Sequence, residues 1–178
     1  MPSDITVPKD LDLDSPLWRF AGRIWSRTLA RDACLNLQAQ GWSVTDLLCA
    51  LWLTSENTLF AGLDDDLTLF WRSTVTERLR QVRKAIQKGN PATDIARDCV
   101  AQSEIESEKV ELALAYRALI GTLAGNSASN QFKNVTAQEL ALENLQAAAP
   151  EKAMNNKTGK LLETLADELQ FAGELVSC

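Results

Sequence analysis

The sequence contains no histidine, and its four cysteines are scattered singly along the chain. Histidine is the commonest general base and the usual neutral metal ligand, so its absence removes Ser-His and Cys-His nucleophile pairs. The cysteines, at Cys34, Cys49, Cys99 and Cys178, show no CxxC spacing that would supply a zinc site. We therefore expect reduced structural thiols and no cofactor, and we favour a non-catalytic protein.

Long apolar runs are also missing. Spanning a bilayer takes about 20 consecutive apolar residues, and no run in the chain approaches that length. The first 14 residues are acidic and lack the charged-then-apolar order of a secretory signal. Both observations predict a cytoplasmic protein without a membrane span.

Net positive charge is confined to one short segment. The chain of 178 residues has a net charge of −6, yet residues 72–88 carry six bases and one acid. A single basic island in an acidic chain argues against broad nucleic-acid binding, because the remaining surface would repel phosphate. Apolar residues at 46% and charged residues at 24% are typical of an ordinary globular domain.

Apolar residues recur at steps of three and four, and no segment alternates as a strand would. The pattern predicts an all-α, single-domain bundle of six or seven helices. We expect a flexible arm at residues 1–14, a helical core at residues 15–124 and a C-terminal helical extension at residues 125–178. A loop-like stretch at residues 125–130 marks that boundary. Whether residues 131–178 pack on the core stays open.

Residues 64–88 predict a long helix that belongs to the core. Three aspartates open the segment and three bases crowd its last turns, as the helix dipole favours. Gly89 then ends it. The eight apolar residues that would form its buried face are Leu63, Leu67, Phe70, Trp71, Val75, Leu79, Val82 and Ile86.

Capping residues predict where other helices begin: Ser15, Ser43, Thr93 and Thr136 each precede an apolar-periodic segment. The connection after Lys88 is short, so the helices on either side of it should pack as an antiparallel hairpin.

Three motifs follow one another in the first third of the chain, and a basic stretch after Trp71 and an acidic stretch at residues 104–116 come later. Together they resemble a bacterial family of small, all-helical cytosolic proteins of unassigned function, over about residues 15–120. The resemblance implies fold and compartment but no chemistry. The motifs are LWRF at residues 17–20, CLNLQ at residues 34–38 and LLCALWL at residues 47–53.

The leading candidate for a partner site lies on the first predicted helix. Arg19, Arg23 and Arg27 are four residues apart and repel one another, so an acid or a ligand should lie nearby. Trp18 stands beside them, and exposed tryptophan next to arginine is typical of interface hot spots. The alternative is a solvated face whose charges are balanced by Asp12, Asp14 and Asp32.

The tryptophans divide into two groups. Trp25, Trp52 and Trp71 fall on apolar faces and should be buried, whereas Trp18 and Trp42 fall off those faces and should be exposed.

A second candidate surface is the basic end of the helix at residues 64–88. Its bases, Arg80, Arg83, Lys84 and Lys88, should form an outward stripe that docks an acidic partner, RNA or a nucleotide. The alternative is a solvated face opposite the acids of the next helix, Glu104, Glu106, Glu108 and Glu111.

Two aspartate clusters suggest a magnesium-diphosphate site of the isoprenoid type. Asp64, Asp65 and Asp66 would form one half and Asp94 with Asp98 the other, provided that both face one cavity. Arg78 or Arg97 would then hold phosphate. The competing explanation is ordinary helix capping.

Taken together, these features favour a non-catalytic cytosolic binding or adaptor protein that recognises a protein partner. The alternative is a magnesium-dependent isoprenoid-type enzyme, and nucleic-acid binding is a third hypothesis. The partner's identity and the oligomeric state, a homo-oligomer included, stay open.

Overall fold

The computed structural model describes residues 6–126, 135–151 and 153–173. Within these ranges the chain forms seven helices and no strand, which confirms the predicted all-α bundle. None of the helices in those ranges is both long and apolar enough to cross a membrane. The helices are α1 (Pro16–Ser26), α2 (Thr28–Gln38), α3 (Val44–Ser55), α4 (residues 66–85), α5 (Asp94–Asn126), α6 (Ala137–Ala147) and α7 (Asn156–Gly173).

Helix α4 contains a π-helical turn that the sequence pattern did not predict. The α-helical segments Asp66–Trp71 and Glu77–Ala85 flank the π-helical segment Arg72–Thr76. A π turn holds one residue more than an α turn, so it shifts the facing of the side chains that follow. The predicted stripe of apolar residues is interrupted there.

Local side chains set the helix starts, as the capping pattern predicts. Ser15 accepts a hydrogen bond from the backbone N–H of Trp18 at 3.2 Å, and Pro16 takes the first helical position. Thr136 and Glu139 form a reciprocal capping box at the start of α6. These start signals are confirmed.

The core is built around α3 rather than α4. Every residue from Leu47 to Thr54 is buried, because α3 is apolar on all sides and such a helix is stable only when surrounded. Helices α1, α2, α5, α6 and α7 all pack against it. The chain thus folds around LLCALWL, one of the motifs that carry the family resemblance.

The prediction that α4 is a core element is wrong. Within α4 only Thr68 and Thr76 are buried, and Val82 is half exposed at 50%. The helix packs chiefly against α5, so its apolar residues are covered from one side only. Of the two buried threonines, Thr76 lies at the contact with α5, where its Oγ1 is 2.7 Å from Ser107 Oγ.

Helices α6 and α7 pack on the bundle, α6 mainly against α3 and α7 mainly against α2. Asn144 is a buried clamp at the α3–α6 contact. Its Nδ2 donates to Thr54 Oγ1 at 3.0 Å and to the Thr58 carbonyl at 2.9 Å, and its Oδ1 accepts from the Phe60 N–H at 2.8 Å.

Helix α5 continues through residues 125 and 126, where a loop was predicted, and residues 127–130 of that loop lie outside the described residues.

Two of the cysteines are buried and free. Burial raises the pKa of the Cys34 thiol to about 12 and that of the Cys49 thiol well above its usual range, so both are unreactive parts of the core. The prediction of reduced structural thiols is confirmed for this pair. Cys99 is free but exposed, and Cys178 lies outside the described residues.

Candidate functional site

A groove of about 690 Å³ lies between α1, the turn joining α2 to α3, α4 and α5. Its volume is in the range of about 300 to 1,000 Å³ that binding pockets occupy. Two kinds of side chain face it. The apolar wall is formed chiefly by Trp18, Trp25, Leu35, Trp42, Leu48 and Ile105, and the ionic wall by Arg72, Glu77, Arg80, Arg83, Glu104, Glu108 and Glu111.

The apolar wall keeps three large side chains in contact with water. Trp25 is 38% exposed, Leu35 44% and Ile105 45%. They come from three different helices, yet all three line one concave surface. Single exposed apolar residues are ordinary, but a group of them lining one groove marks a binding surface.

The predicted burial of Trp25 is wrong, and the spacing along α1 gives the reason. Leu17, Phe20, Ala21 and Ile24 occupy the buried stripe, and Trp25 lies at its edge. Trp18 lies two turns earlier on the same side of α1, so the two indoles stand in line along the groove. The indoles at this edge therefore form a wall beside the core.

Trp18 is partly buried rather than fully exposed. It packs against the core cluster, and the ammonium of Lys109 lies 5.3 Å from the centre of its ring. That arrangement is a cation–π contact. Trp18 thus contacts the core and also lines the groove.

The prediction that Trp42 is exposed is wrong, since it is 2% exposed. Gly41 has φ +90°, a left-handed turn that glycine favours, and the Trp42 N–H bonds to the Leu37 carbonyl at 3.2 Å. This turn folds the indole inward. Its Nε1 is sealed from solvent and has no acceptor among the described residues, which costs about 1 to 3 kcal/mol.

In the ionic wall, Arg72 is the first residue of the π-helical segment, and its side chain is largely buried. Arg72 Nη2 lies 2.7 Å from Asp46 Oδ1, and its Nε lies 2.7 Å from Glu111 Oε1. Thr45 Oγ1 also donates to Glu111 at 2.7 Å. Burial opposes the charge of Arg72, but the hydrogen bonds and charges of Asp46 and Glu111 outweigh it and raise its pKa.

Arg80 and Arg83 turn toward α5, so the prediction of an outward stripe is wrong for these two. Arg80 pairs with Glu77, with Glu108 at 2.6 Å and with Glu104 at 3.0 Å, and Arg83 pairs with Glu104. The alternative explanation, in which acids of the next helix neutralise these bases, is confirmed for Glu104 and Glu108. The remaining bases of the predicted stripe, Lys84 and Lys88, are exposed and do not line the groove.

The two carboxylates that pair with Arg80 from α5 have opposite pKa shifts. Burial alone would raise the pKa of Glu104, but hydrogen bonds from Arg83 and Arg80 outweigh burial and lower it. Burial raises the pKa of Glu108, and its contacts with Arg80 offset this only in part. Glu108 is therefore the less fully compensated acid of the pair.

The three arginines that the sequence placed on the first helix make three separate contacts and do not form one surface. Arg19 pairs with Asp14 at 3.1 Å, which confirms one of the predicted acids. Arg23 lies 5.6 Å from the centre of the Phe20 ring. Arg27 pairs with Glu168 of α7, an acid 141 positions away that the sequence analysis missed. None of the three arginines lines the groove.

One aspartate of each cluster bonds to a nearby backbone N–H, and the two clusters do not meet. Asp65 accepts from the Thr68 N–H at 2.8 Å, and Asp94 accepts from the Gly89 N–H at 3.1 Å. Because α4 and α5 run antiparallel, the cluster at residues 64–66 and that of Asp94 and Asp98 lie at opposite ends of α4, roughly 28 Å apart at about 1.5 Å per residue. The assumption that both face one cavity is therefore wrong.

The groups assigned to metal and phosphate binding have other partners. Arg97 donates to the Arg83 and Ile86 carbonyls and so caps the end of α4. Arg78 is exposed and reaches Gln81 at 3.5 Å. Among the described residues, no group of three or more cysteine or carboxylate side chains is placed to hold a metal ion.

Sequence reasoning missed Arg72 and Asp46 as members of the groove network, and it named Glu111 only as one of four acids opposite the basic stripe. One signal was present, since Glu111 stands in the apolar run VELALAY at residues 110–116. A charged residue in such a run is buried only with a partner. The partner, Arg72, is 39 positions away, and no local pattern identifies it.

A family model described as a protein of unknown function (DUF2390) matches residues 16–115. All residues that line the groove fall in this range, whereas α6 and α7 lie beyond it. No curated protein and no solved structure matches the chain.

Proposed function

The chain belongs to the DUF2390 family, whose function is unknown, and we propose that it is a non-catalytic binding or adaptor protein that holds a protein partner in this groove. The observation that carries the proposal is the group formed by Trp25, Leu35 and Ile105, three exposed apolar side chains lining one concavity. We also propose a cytoplasmic location.

The groove draws on both surfaces that the sequence suggested. Trp18 comes from the α1 surface, and Arg80 and Arg83 come from the basic end of α4. The other members of those surfaces, Arg19, Arg23, Arg27, Lys84 and Lys88, lie outside the groove and are not part of the proposed site.

The combination of walls suits protein recognition. Interface hot spots are enriched in tryptophan and arginine and lie in pockets from which water is excluded. Here Trp18 and Trp25 of α1 line the same groove as Arg80 and Arg83 of α4. The arginines are held by carboxylates, so the wall is rigid before a partner arrives, which lowers the entropy cost of binding.

Site-specific photo-crosslinking in the producing cells tests the proposal. The photoreactive residue p-benzoylphenylalanine replaces Ile105, which is 45% exposed in the groove, and in a matched variant it replaces Glu143, which is exposed on α6. We expect a discrete protein adduct from position 105 and none from position 143.

A second variant ties the adduct to the groove. Trp25→Ala in the Ile105-substituted protein should abolish the adduct while the circular dichroism spectrum stays helical, because Trp25 lies at the edge of the core. Equal adducts at the two positions, or none at position 105, would contradict the proposal. An adduct between two copies of the chain would identify a homo-oligomer as the partner.

A further inference from the structure

We propose that the groove takes a peptide segment of the partner in which a lysine or arginine is flanked by apolar residues, with the basic side chain pairing with Glu108 and Glu77. This inference rests on the proposed function and adds the chemistry of the partner. It follows from the charges in the ionic wall and from the way each of them is engaged.

The arginines of the wall are already engaged. Arg72 holds Asp46 and Glu111, and Arg80 holds three carboxylates. An anionic ligand would have to take these guanidinium groups from carboxylates that are partly or fully buried. Leaving a buried charge unpaired is strongly unfavourable, so the wall does not suit an acidic peptide or a phosphate, although three arginines line it.

Carboxylates outnumber guanidinium groups in this network. Five acids, Asp46, Glu77, Glu104, Glu108 and Glu111, meet three arginines, Arg72, Arg80 and Arg83. Lys109 is the nearby lysine, and it is engaged by Glu106 at 3.6 Å and by the Trp18 ring. The site therefore keeps an excess of negative charge that a bound cation would balance.

The surplus is located at Glu108 and Glu77. Their side chains are 39% and 43% exposed, against 7% for Glu104 and 2% for Glu111. Both bond to one guanidinium, that of Arg80, so the two carboxylates lie within the span of a single side chain. The raised pKa of Glu108, caused first by burial and increased by the charges of Glu104 and Glu111, agrees with a shortage of positive charge at this point.

The apolar wall determines which residues should flank the basic residue of the peptide. A lysine or arginine that reaches Glu108 leaves its neighbours in the peptide against Trp25 and Ile105, which line the same groove.

Selection from a random dodecapeptide library displayed on phage tests the inference on the full-length protein. We expect enriched sequences with a basic residue flanked by leucine, phenylalanine or tryptophan. The same selection on Glu108→Gln should lose the basic preference. Glu143→Gln, which changes an exposed acid of α6 outside the groove, should keep it.

Affinity measurements then quantify how much the contact between the basic peptide residue and Glu108 contributes to binding. Fluorescence anisotropy with the most enriched peptide and its Lys→Gln or Arg→Gln version should show about tenfold weaker binding of the neutral peptide. That difference should disappear in Glu108→Gln, whose fold is checked by circular dichroism. Glu77→Gln should reduce the difference as a second, independent variant.

Two results would overturn the inference. Enriched neutral or acidic peptides whose binding is lost in Trp25→Ala would refute the basic chemistry and retain the groove as a binding site. No enrichment at all would refute the peptide segment, and the adduct from position 105 would then decide separately whether the groove binds a protein.

Discussion

Arg72 Nε lies 2.7 Å from Glu111 Oε1, with the Glu111 side chain only 2% exposed. The pair joins the π-helical turn of α4 to the middle of α5. A carboxylate at that depth is stable only with a partner, because its desolvation costs several kcal/mol. Arg72 is the first residue of that turn, so the pair fixes the start of the turn on α5.

Replacing Arg72 with methionine tests this role. Glu111 would then be buried without its partner, so we expect a loss of about 3 kcal/mol in the free energy of unfolding, measured by urea denaturation. The double variant Arg72→Met, Glu111→Leu should recover most of that loss. Strictly additive losses in the double-mutant cycle would show that the two groups do not act together.

Acid unfolding tests the role of Glu104. Its pKa is lowered below the ordinary value of 4.5 by Arg83 and Arg80, which outweigh burial. A lowered pKa means stability that is present above pH 4.5 and is lost as the pH falls through the lower, folded-state value. Stability measured from pH 7 to pH 3 should therefore fall less steeply in Glu104→Gln.

A matched control lies two residues along α5 from Glu104. Glu106 is more than half exposed and pairs with Lys109, so Glu106→Gln should leave the acid limb of the stability curve nearly unchanged. If both variants flatten the curve equally, the arginine contacts of Glu104 are not the cause.

Glu108 should show the opposite sign. Burial raises its pKa above 4.5, so its ionisation removes stability as the pH rises from 4.5 through the raised value, and the full penalty applies above it. We expect Glu108→Gln to be at least as stable as the parent protein at neutral pH, with the two curves converging in acid. A variant that is less stable at neutral pH but not in acid would contradict this.

The helix starts and the groove illustrate what the sequence can and cannot predict. The helix starts at Ser15 and Thr136 were predictable, because each cap acts on an N–H within three residues of itself. The groove was not, since Arg72 and Glu111 are 39 positions apart and the π turn has no sequence signature. Arginine spacing alone placed Arg80 and Arg83 outward, although Glu104 and Glu108 of α5 draw these two inward.

The predictions of exposure for Trp42 and of burial for Trp25 were wrong for a related reason. Periodicity places a residue relative to its own helix, and Trp42 precedes α3 in a turn whose direction depends on Gly41. Trp25 lies at the edge of a stripe, where the coverage by other helices decides its exposure. A period therefore locates the core side of a helix better than its margins.

The amide of Asn144 offers a test of how α6 is attached. Asn144→Ala would remove the partners of the Phe60 N–H, the Thr54 hydroxyl and the Thr58 carbonyl together. We expect a loss of about 3 kcal/mol, since each buried group left unsatisfied costs about 1 to 3 kcal/mol. Gln146→Ala, an exposed change on the same helix, should cost less than about 0.5 kcal/mol. Equal losses would show that helix propensity, not the clamp, is being measured.

Two tryptophans separate stability from binding. Trp52 is 4% exposed and meets the Tyr116 ring edge-on at 5.3 Å between centroids, so Trp52→Ala should cost about 3 to 5 kcal/mol. Trp25 is 38% exposed at the rim of the groove, and Trp25→Ala should cost clearly less while removing the crosslink from position 105. Thermal unfolding and the crosslinking yield measure the two effects independently. A Trp25→Ala protein as unstable as Trp52→Ala would assign Trp25 to the core, and the exposed wall on which the binding role depends would lose its largest member.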